Sequence, residues 1–424
     1  MTHKLRRILV DLTPLLPGGG NGGAKPLTRA LIAELSALAP QVEFTLLTSA
    51  VGYDDVADLE RPNVRRENVD VDLAVPHASG IAVAGARVAA RGVVNALLPP
   101  HARMQMKDAV WTLFKRWQRT SVTRTARADL VFCPFTAPFF FDPRVPLVSV
   151  VHDLQYLEYP EFFEALQQTH RHEYFLDACR LADRLICVSD FVRQTVLVNS
   201  HLPPERVQTI HSGMVHTFAP DQHASETAGT TLERLGICWR RFLLYPANPW
   251  PHKNHKLLIE AFARFRRAAP DSDLALVCTG APGVAADELT SLAAQCCPPA
   301  SFAFAGYLPE PEFVAMLQSC RGLIFPSLYE GFGLPVLEAM ACGKPVLCSN
   351  VTSLPEVAGD AAVLFDPHDV DAIAHAIGRL ELEPDLDTQL VQRGHARAQH
   401  FGDARRMAGH YLAAFEEVVA RRPV

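Results

Sequence analysis

A chain of 424 residues is too long for one ordinary hydrophobic core and points to two or three domains. Hydrophobic residues make up 49% and charged residues 20%, with a formal net charge of −6, which suits a globular protein and argues against nucleic-acid binding as its overall role. The ten cysteines have no C-x-x-C spacing and no histidines at zinc-finger intervals, so they read as reduced thiols of a cytosolic protein. The basic start, Met1-Thr-His-Lys-Leu-Arg-Arg7, is followed too soon by Asp11 and a glycine cluster to be a signal peptide. No apolar stretch reaches the roughly 18 charge-free residues of a bilayer span. The longest, residues 73–86, is broken by Pro76 and His77. The expectation is a soluble or peripheral protein.

In chain order, residues 7–12 read as a buried strand, 27–38 as a helix and 42–48 as a second strand, the beginning of a βαβ series and a parallel sheet. Gly18-Gly-Gly-Asn-Gly-Gly23 lies between the first strand and the helix. Gly18, Gly20 and Gly23 satisfy G-x-G-x-x-G, a weak signal alone, and the second strand ends in Leu47-Thr-Ser49 with no carboxylate for a ribose. A dehydrogenase reading therefore loses its second support, while five glycines in six residues still suit close backbone approach to a ligand.

Residues 50–128 carry little pattern. Within them 101–127 holds Arg103, Lys107, Lys115, Arg116, Arg119, Arg124 and Arg127 against one acid, Asp108, with Trp111, Phe114 and Trp117 interleaved. Such a stretch suits either peripheral contact with an anionic membrane or a packed helix with a solvated charged face. Asp70-Val-Asp72 reads as surface strand rather than a metal site.

Residues 129–134 and 147–152 read as core strands, the second placing His152 and Asp153 at the strand tip where open α/β sheets bind ligands. A helix over 176–184 and strands over 185–189 and 207–210 close the first half. The polar stretch 219–232 reads as a linker. A second βα series follows, with strands at 242–246, 274–279, 302–305, 322–325, 345–348 and 362–365. Its helices fall at 256–267, 285–294, 310–319, the stretch after Pro335 and 369–380, with a last helix at 404–420.

One stretch in this series carries the chemistry: Glu330-Gly-Phe-Gly-Leu-Pro-Val-Leu-Glu338. Pro335 suits a first helical position and Gly343 a left-handed cap, which puts Glu330 on the preceding loop and Glu338 in the first turn. Amides and dipole at the helix start suit phosphate, and the flanking carboxylates suit hydroxyls. A nucleotide sugar offers both.

The second half resembles the family-four retaining glycosyltransferases of the GT-B type. The resemblance is carried by residues 245–254, Gly306-Tyr307, the run from Phe325 through Glu338, Ala339-Met-Ala-Cys-Gly-Lys-Pro345, Leu354-Pro-Glu356 and Val363-Leu-Phe-Asp-Pro367. Gly18 to Lys25, His152-Asp153, Val188-Ser189 and Ser212-Gly213 extend it more loosely into the first half. It implies two Rossmann-like doubly wound domains facing a cleft, 1–218 on the acceptor side and 233–403 on the nucleotide-sugar side. The segment 219–232 would link them, and the helix 404–424 would cross back.

The resemblance further implies that Glu330 and the amides of Phe332, Gly333 and Leu334 hold the donor sugar and phosphate, and that Glu338 holds the ribose. Tyr307 and Leu308 would line the base, Lys253 the diphosphate, with Gly22 and Gly23 approaching the phosphate and His152 the transferred sugar from the other domain. Glu330, His152 and Lys253 form the implied catalytic set. Where many relatives carry an arginine, this chain has Ala247 and His252, so the phosphate rests mainly on Lys253, with Asn248 a weaker partner. No metal or cofactor is implied beyond a GDP- or UDP-sugar donor.

The function so implied is metal-independent, retaining transfer of a hexose, mannose preferred, to a glycan or polyprenyl-linked acceptor in surface polysaccharide biosynthesis. It would take place in the cytoplasm at the inner face of the membrane. The alternatives are a non-catalytic nucleotide-sugar-binding scaffold, which predicts a damaged carboxylate pair, or a GT-B epimerase or phosphorylase. Epimerases lack the Glu-x7-Glu block, and a pyridoxal phosphorylase needs a Schiff-base lysine that the sequence does not identify.

Overall fold

The computed structural model describes residues 5–16, 21–69, 127–214, 224–234, 236 and 241–421. Two all-parallel sheets organise them. The first contains β1 (Arg7–Asp11), β2 (Glu43–Thr48), β3 (Val64–Asn68), β4 (Leu130–Cys133), β5 (Leu147–Val151), β6 (Arg184–Cys187) and β7 (Val207–Thr209), in the order β3-β2-β1-β4-β5-β6-β7. The second contains β8 (Phe242–Pro246), β9 (Ala275–Thr279), β10 (Phe302–Phe304), β11 (Gly322–Phe325), β12 (Val346–Ser349) and β13 (Val363–Phe365), ordered β10-β9-β8-β11-β12-β13. Helices cover both faces of a parallel sheet, so its central strands are apolar without alternation. Leu-Val-Phe-Cys of β4 and Gly-Leu-Ile-Phe of β11 are buried throughout.

Each sheet winds outward in both directions from its first strand. The order therefore reverses between β1 and β4 and again between β8 and β11, where Leu323 is in register with Leu244. Loops leaving the two strands at such a point diverge and open a crevice, the usual ligand position in this architecture. The last helix, Ala404–Arg421, returns to the first sheet, with the rings of Tyr411 and Phe415 against Phe132 and Arg405 paired with Glu34.

Several elements differ from the sequence expectation. The stretch read as a linker over 219–232 is helical from Ala224, as Ala224–Arg234, burying Ala224, Ala228, Thr231 and Leu232 on a face that the polar composition conceals. The helix expected over 176–184 runs from Ala165 to Leu181. Its leading residues bury no side chain before Phe175, so no periodicity marks them, and a Glu164–Gln167 capping box sets its start. Arg184 belongs to β6, its side chain bonded to Gln208. The helix Pro384–Phe401 was not anticipated, because its buried face is only Leu390, Gly394, Ala398 and Phe401. Gly18, Gly20, Asp70-Val-Asp72 and the basic stretch through residue 126 lie outside the described residues. Among the described residues no helix is long and apolar enough to cross a membrane.

Candidate active site

The loop after β11 places Glu330. Gly333 sits at φ 106°, a backbone conformation that side-chain-bearing residues rarely adopt, and begins the helix Leu334–Ala341 with Pro335 in its first turn. Gly343, at φ 66°, turns the chain out after that helix, as expected for its cap. Behind the loop, the Glu330 amide donates to Thr352 Oγ1 (3.1 Å), and the buried Ser353 hydroxyl donates to the carbonyls of Glu330 (2.9 Å) and Phe332 (3.0 Å).

The loop after β8 places Lys253. The Tyr245 hydroxyl donates to the Lys253 carbonyl (2.5 Å), and the Leu328 amide donates to the His252 carbonyl (2.8 Å). Asn254, left-handed at φ 60°, donates its side-chain amide nitrogen to the carbonyls of Pro326 and Pro367, tying this loop to those after β11 and β13. The two loops thus leave neighbouring strands at the switch point and close on each other. Lys253 Nζ lies 2.5 Å from Glu330 Oε1, with side chains only 14% and 13% exposed, and 5.4 Å from the centre of the Phe325 ring. A cation and a carboxylate thus meet on the loop that leads into a helix N-terminus.

The first half supplies the facing wall. His152 Nε2 donates to the Pro134 carbonyl (2.7 Å), which leaves Nδ1 as the acceptor of the neutral ring. Burial pushes the His152 pKa down despite that bond and Asp153 nearby. The His152 carbonyl lies so close to Gly331 that a β-carbon there would sit 1.9 Å from it. Ser189 Oγ donates to the Gly331 carbonyl (2.7 Å). Gly22, at φ 52°, faces Trp250, whose ring would lie 2.9 Å from an added β-carbon. Burial also drives the pKa of His252 to about 3, helped by Lys253, and that of the buried His255 to about 3.

The other expected residues are placed as follows. Asn248 Oδ1 accepts from the Ala281 amide (2.7 Å) at the cleft edge. Gly306, at φ 70°, accepts from the Gly280 amide and carries Tyr307 far into solvent, whereas Leu308 is buried. The Phe332 ring packs on His211 and Phe401, so only its backbone faces outward. Glu338 lies one residue further into its helix than expected, because the helix starts at Leu334, and it is buried at 5% exposure. Gly23 starts the helix Ala24–Leu38, with nothing within 4 Å of an added β-carbon.

Thr352, Ser189 and His211 hold the loops or join the halves, roles that no spacing in the sequence marks. Asp190, His211 and Glu356 also bring their ligand atoms within 4.8 Å of one another. Only spatial neighbourhood reveals these residues.

Two switch-point crevices closing on each other, with one holding a lysine–carboxylate pair on the loop before a helix, define the GT-B architecture. Residues 240–397 match the model of glycosyl transferases group 1, and residues 62–218 that of glycosyltransferase family 4. The chain belongs to this group 1, family 4 class of glycosyltransferases. It is 32% identical over 259 residues to O-antigen chain mannosyltransferase B of Escherichia coli, covering 60% of this chain and 66% of that one. It is 30% identical over 246 residues to an MMP alpha-(1->4)-mannosyltransferase of Mycolicibacterium hassiacum, covering 57% and 56%. The match thus spans at most about two thirds of these relatives, and 31% of an E. coli serotype-specific mannosyltransferase. In fold, the chain superposes on Anabaena HepE in complex with UDP and glucose, with TM-score 0.69, 17% identity and coverage of 97% and 100%.

Proposed function

We propose that this chain is a retaining, metal-independent transferase of a hexose, mannose preferred, from a GDP- or UDP-sugar to a glycan or polyprenyl-linked acceptor in surface polysaccharide assembly. The observation that carries the reading is the Lys253–Glu330 pair at the β8/β11 switch point, on the loop that leads through Phe332 and Gly333 into the helix from Leu334. The mannosyltransferase relatives support the choice of sugar.

In the pair, each group occupies the place of the other's ligand. An arriving diphosphate takes Lys253 and the helix amides, and Glu330 turns to the sugar hydroxyls. As the anomeric C–O bond breaks, negative charge grows on the departing phosphate, where preorganised donors stabilise it without reorganisation. The acceptor hydroxyl attacks from the same face, and its proton passes to that phosphate oxygen. His152, neutral and fixed by Pro134, borders the transferred sugar from the facing wall. Glu338 and Leu308 hold the ribose and base, with Tyr307 and Asn248 at the rim. Gly22 and Gly23 approach the phosphate from the other side.

The reaction is assigned to the cytoplasmic side, with the basic segment 101–127 resting on the inner leaflet. The test is a panel of GDP- and UDP-hexoses in excess chelator, with product configuration read by NMR. Transfer with the donor's anomeric configuration is expected. No transfer from any member, inversion, or a strict need for a divalent ion overturns the corresponding part. Failure of the protein to float with anionic liposomes removes the membrane contact.

A further inference from the structure

The two halves meet through an N-cap made in trans. The helix Asp190–Asn199 of the first half starts at Ser189, whose hydroxyl accepts from the Val192 amide (3.1 Å) and donates to the Gly331 carbonyl. The first amides of a helix have no partner within it. Those of Asp190 and Phe191 donate instead to Glu356 of the second half, at 2.8 and 2.9 Å. His211 Nε2 adds a third bond to the same carboxylate at 2.8 Å. Burial works to raise the Glu356 pKa, but His211 and the two amides outweigh it and hold it below its ordinary value. The proximity of Asp190 does not make this a cation site, since Glu356 is filled by these donors and Asp190 Oδ1 takes the Thr209 hydroxyl. It is a charge-assisted helix cap reaching across the cleft.

The segment that carries Glu356 also carries the support of the donor loop. Ser353, fully buried, bonds the Glu330 and Phe332 carbonyls, Thr352 bonds the Glu330 amide, and Leu354 packs where a β-carbon on Gly333 would stand. Thr352 holds φ 57°, a strained setting for a β-branched residue, tolerated where the surroundings fix it. One rigid turn, residues 352–356, therefore touches the Glu330 loop at one end and the opposite half at the other.

We propose that Glu356 is a positioning residue, an interdomain latch whose engagement with the Asp190 helix sets the Glu330 loop through Ser353 and Thr352. The proposal rests on the assignment of Glu330 to the donor sugar, but its structural coupling is measurable without any sugar. Closing the cleft and ordering the loop become one event, and the coupling is reciprocal: whatever loosens the loop loosens the latch.

Amide hydrogen exchange on the full-length protein tests this. Glu356→Ala is expected to raise exchange about tenfold at 189–192, where it caps, and also at 329–334, which its side chain does not touch. Ser353→Ala is expected to raise exchange at 189–192 in return. A rise confined to each variant's own contact segment overturns the proposal. Glu356→Gln, which keeps one acceptor oxygen and the volume, gives the same pattern at smaller amplitude and serves if the alanine variant does not fold. In the transfer assay, Glu356→Ala is expected to lower kcat while the Kd for GDP or UDP stays within threefold of wild type. A loss of nucleotide affinity equal to the loss in kcat indicates a merely structural role and overturns the proposal. If wild type transfers no sugar, the functional reading fails while the exchange result still decides the coupling.

Discussion

Gly331→Ala should separate closing of the cleft from folding. The new β-carbon would lie 1.9 Å from the His152 carbonyl, against an ordinary C···O approach of about 3.3 Å. The loop and the strand tip must therefore part by about 1.4 Å. That displacement breaks the 2.7 Å bond from Ser189 to the Gly331 carbonyl. Losing the bond costs about 1 kcal/mol and the overpacking about 1–3 kcal/mol. Because the clash lies between the halves, they can relieve it by separating, so the sum of about 2–4 kcal/mol falls on the closed arrangement. It corresponds to a drop of about 30- to 1000-fold in the ratio of closed to open protein. kcat/KM for transfer should fall by up to that factor, with a larger radius of gyration by X-ray scattering and a Tm within a few degrees. Gly229→Ala, with nothing within 4 Å of the added carbon, is the control expected to change neither. A Gly331→Ala protein with wild-type kcat/KM would mean that the closed contact seen here is not the reactive one.

Two further outcomes follow from the site. Lys253→Met should weaken GDP or UDP binding by about 10- to 100-fold in calorimetry, the range for losing a hydrogen-bonded charge, and an unchanged Kd would remove Lys253 from the phosphate site. His255 makes folding acid-sensitive. Its folded pKa of about 3 lies below the ordinary histidine value of 6.5, so only the unfolded chain binds its proton between those values, and its stabilising effect is lost as pH falls through that window. Full charging opposes folding by up to roughly 5 kcal/mol. Urea unfolding of His255→Phe should therefore show a shallower fall in stability between pH 7 and pH 4 than wild type, and identical slopes would refute the shift.

What the sequence made legible was local. Continuous apolar runs marked β4, β8 and β11, because a strand buried on both faces needs no polar residue. The two glycines and the proline between Glu330 and Glu338 marked a loop entering a helix, because each serves a backbone need. The spacing alone could not show that Glu338 is buried, since that depends on what packs over the helix rather than on where it starts. The helix Ala165–Leu181 escaped because half of it buries nothing. The joining of the halves left no trace in spacing, since Glu356 meets an amide 166 residues away. A carboxylate followed by Val-Ala-Gly looks the same whether it faces water or caps a helix across a cleft.

The most direct test of the Lys253–Glu330 clamp as a sugar-transfer site compares wild type with Glu330→Gln, using radiolabelled nucleotide hexose and excess chelator. Wild type should transfer the sugar, and the variant should lose about 100-fold or more in kcat, the range for removing one preorganised polar group at a reacting centre, while binding GDP or UDP within about threefold of wild type. Transfer by Glu330→Gln at the wild-type rate would contradict the assignment.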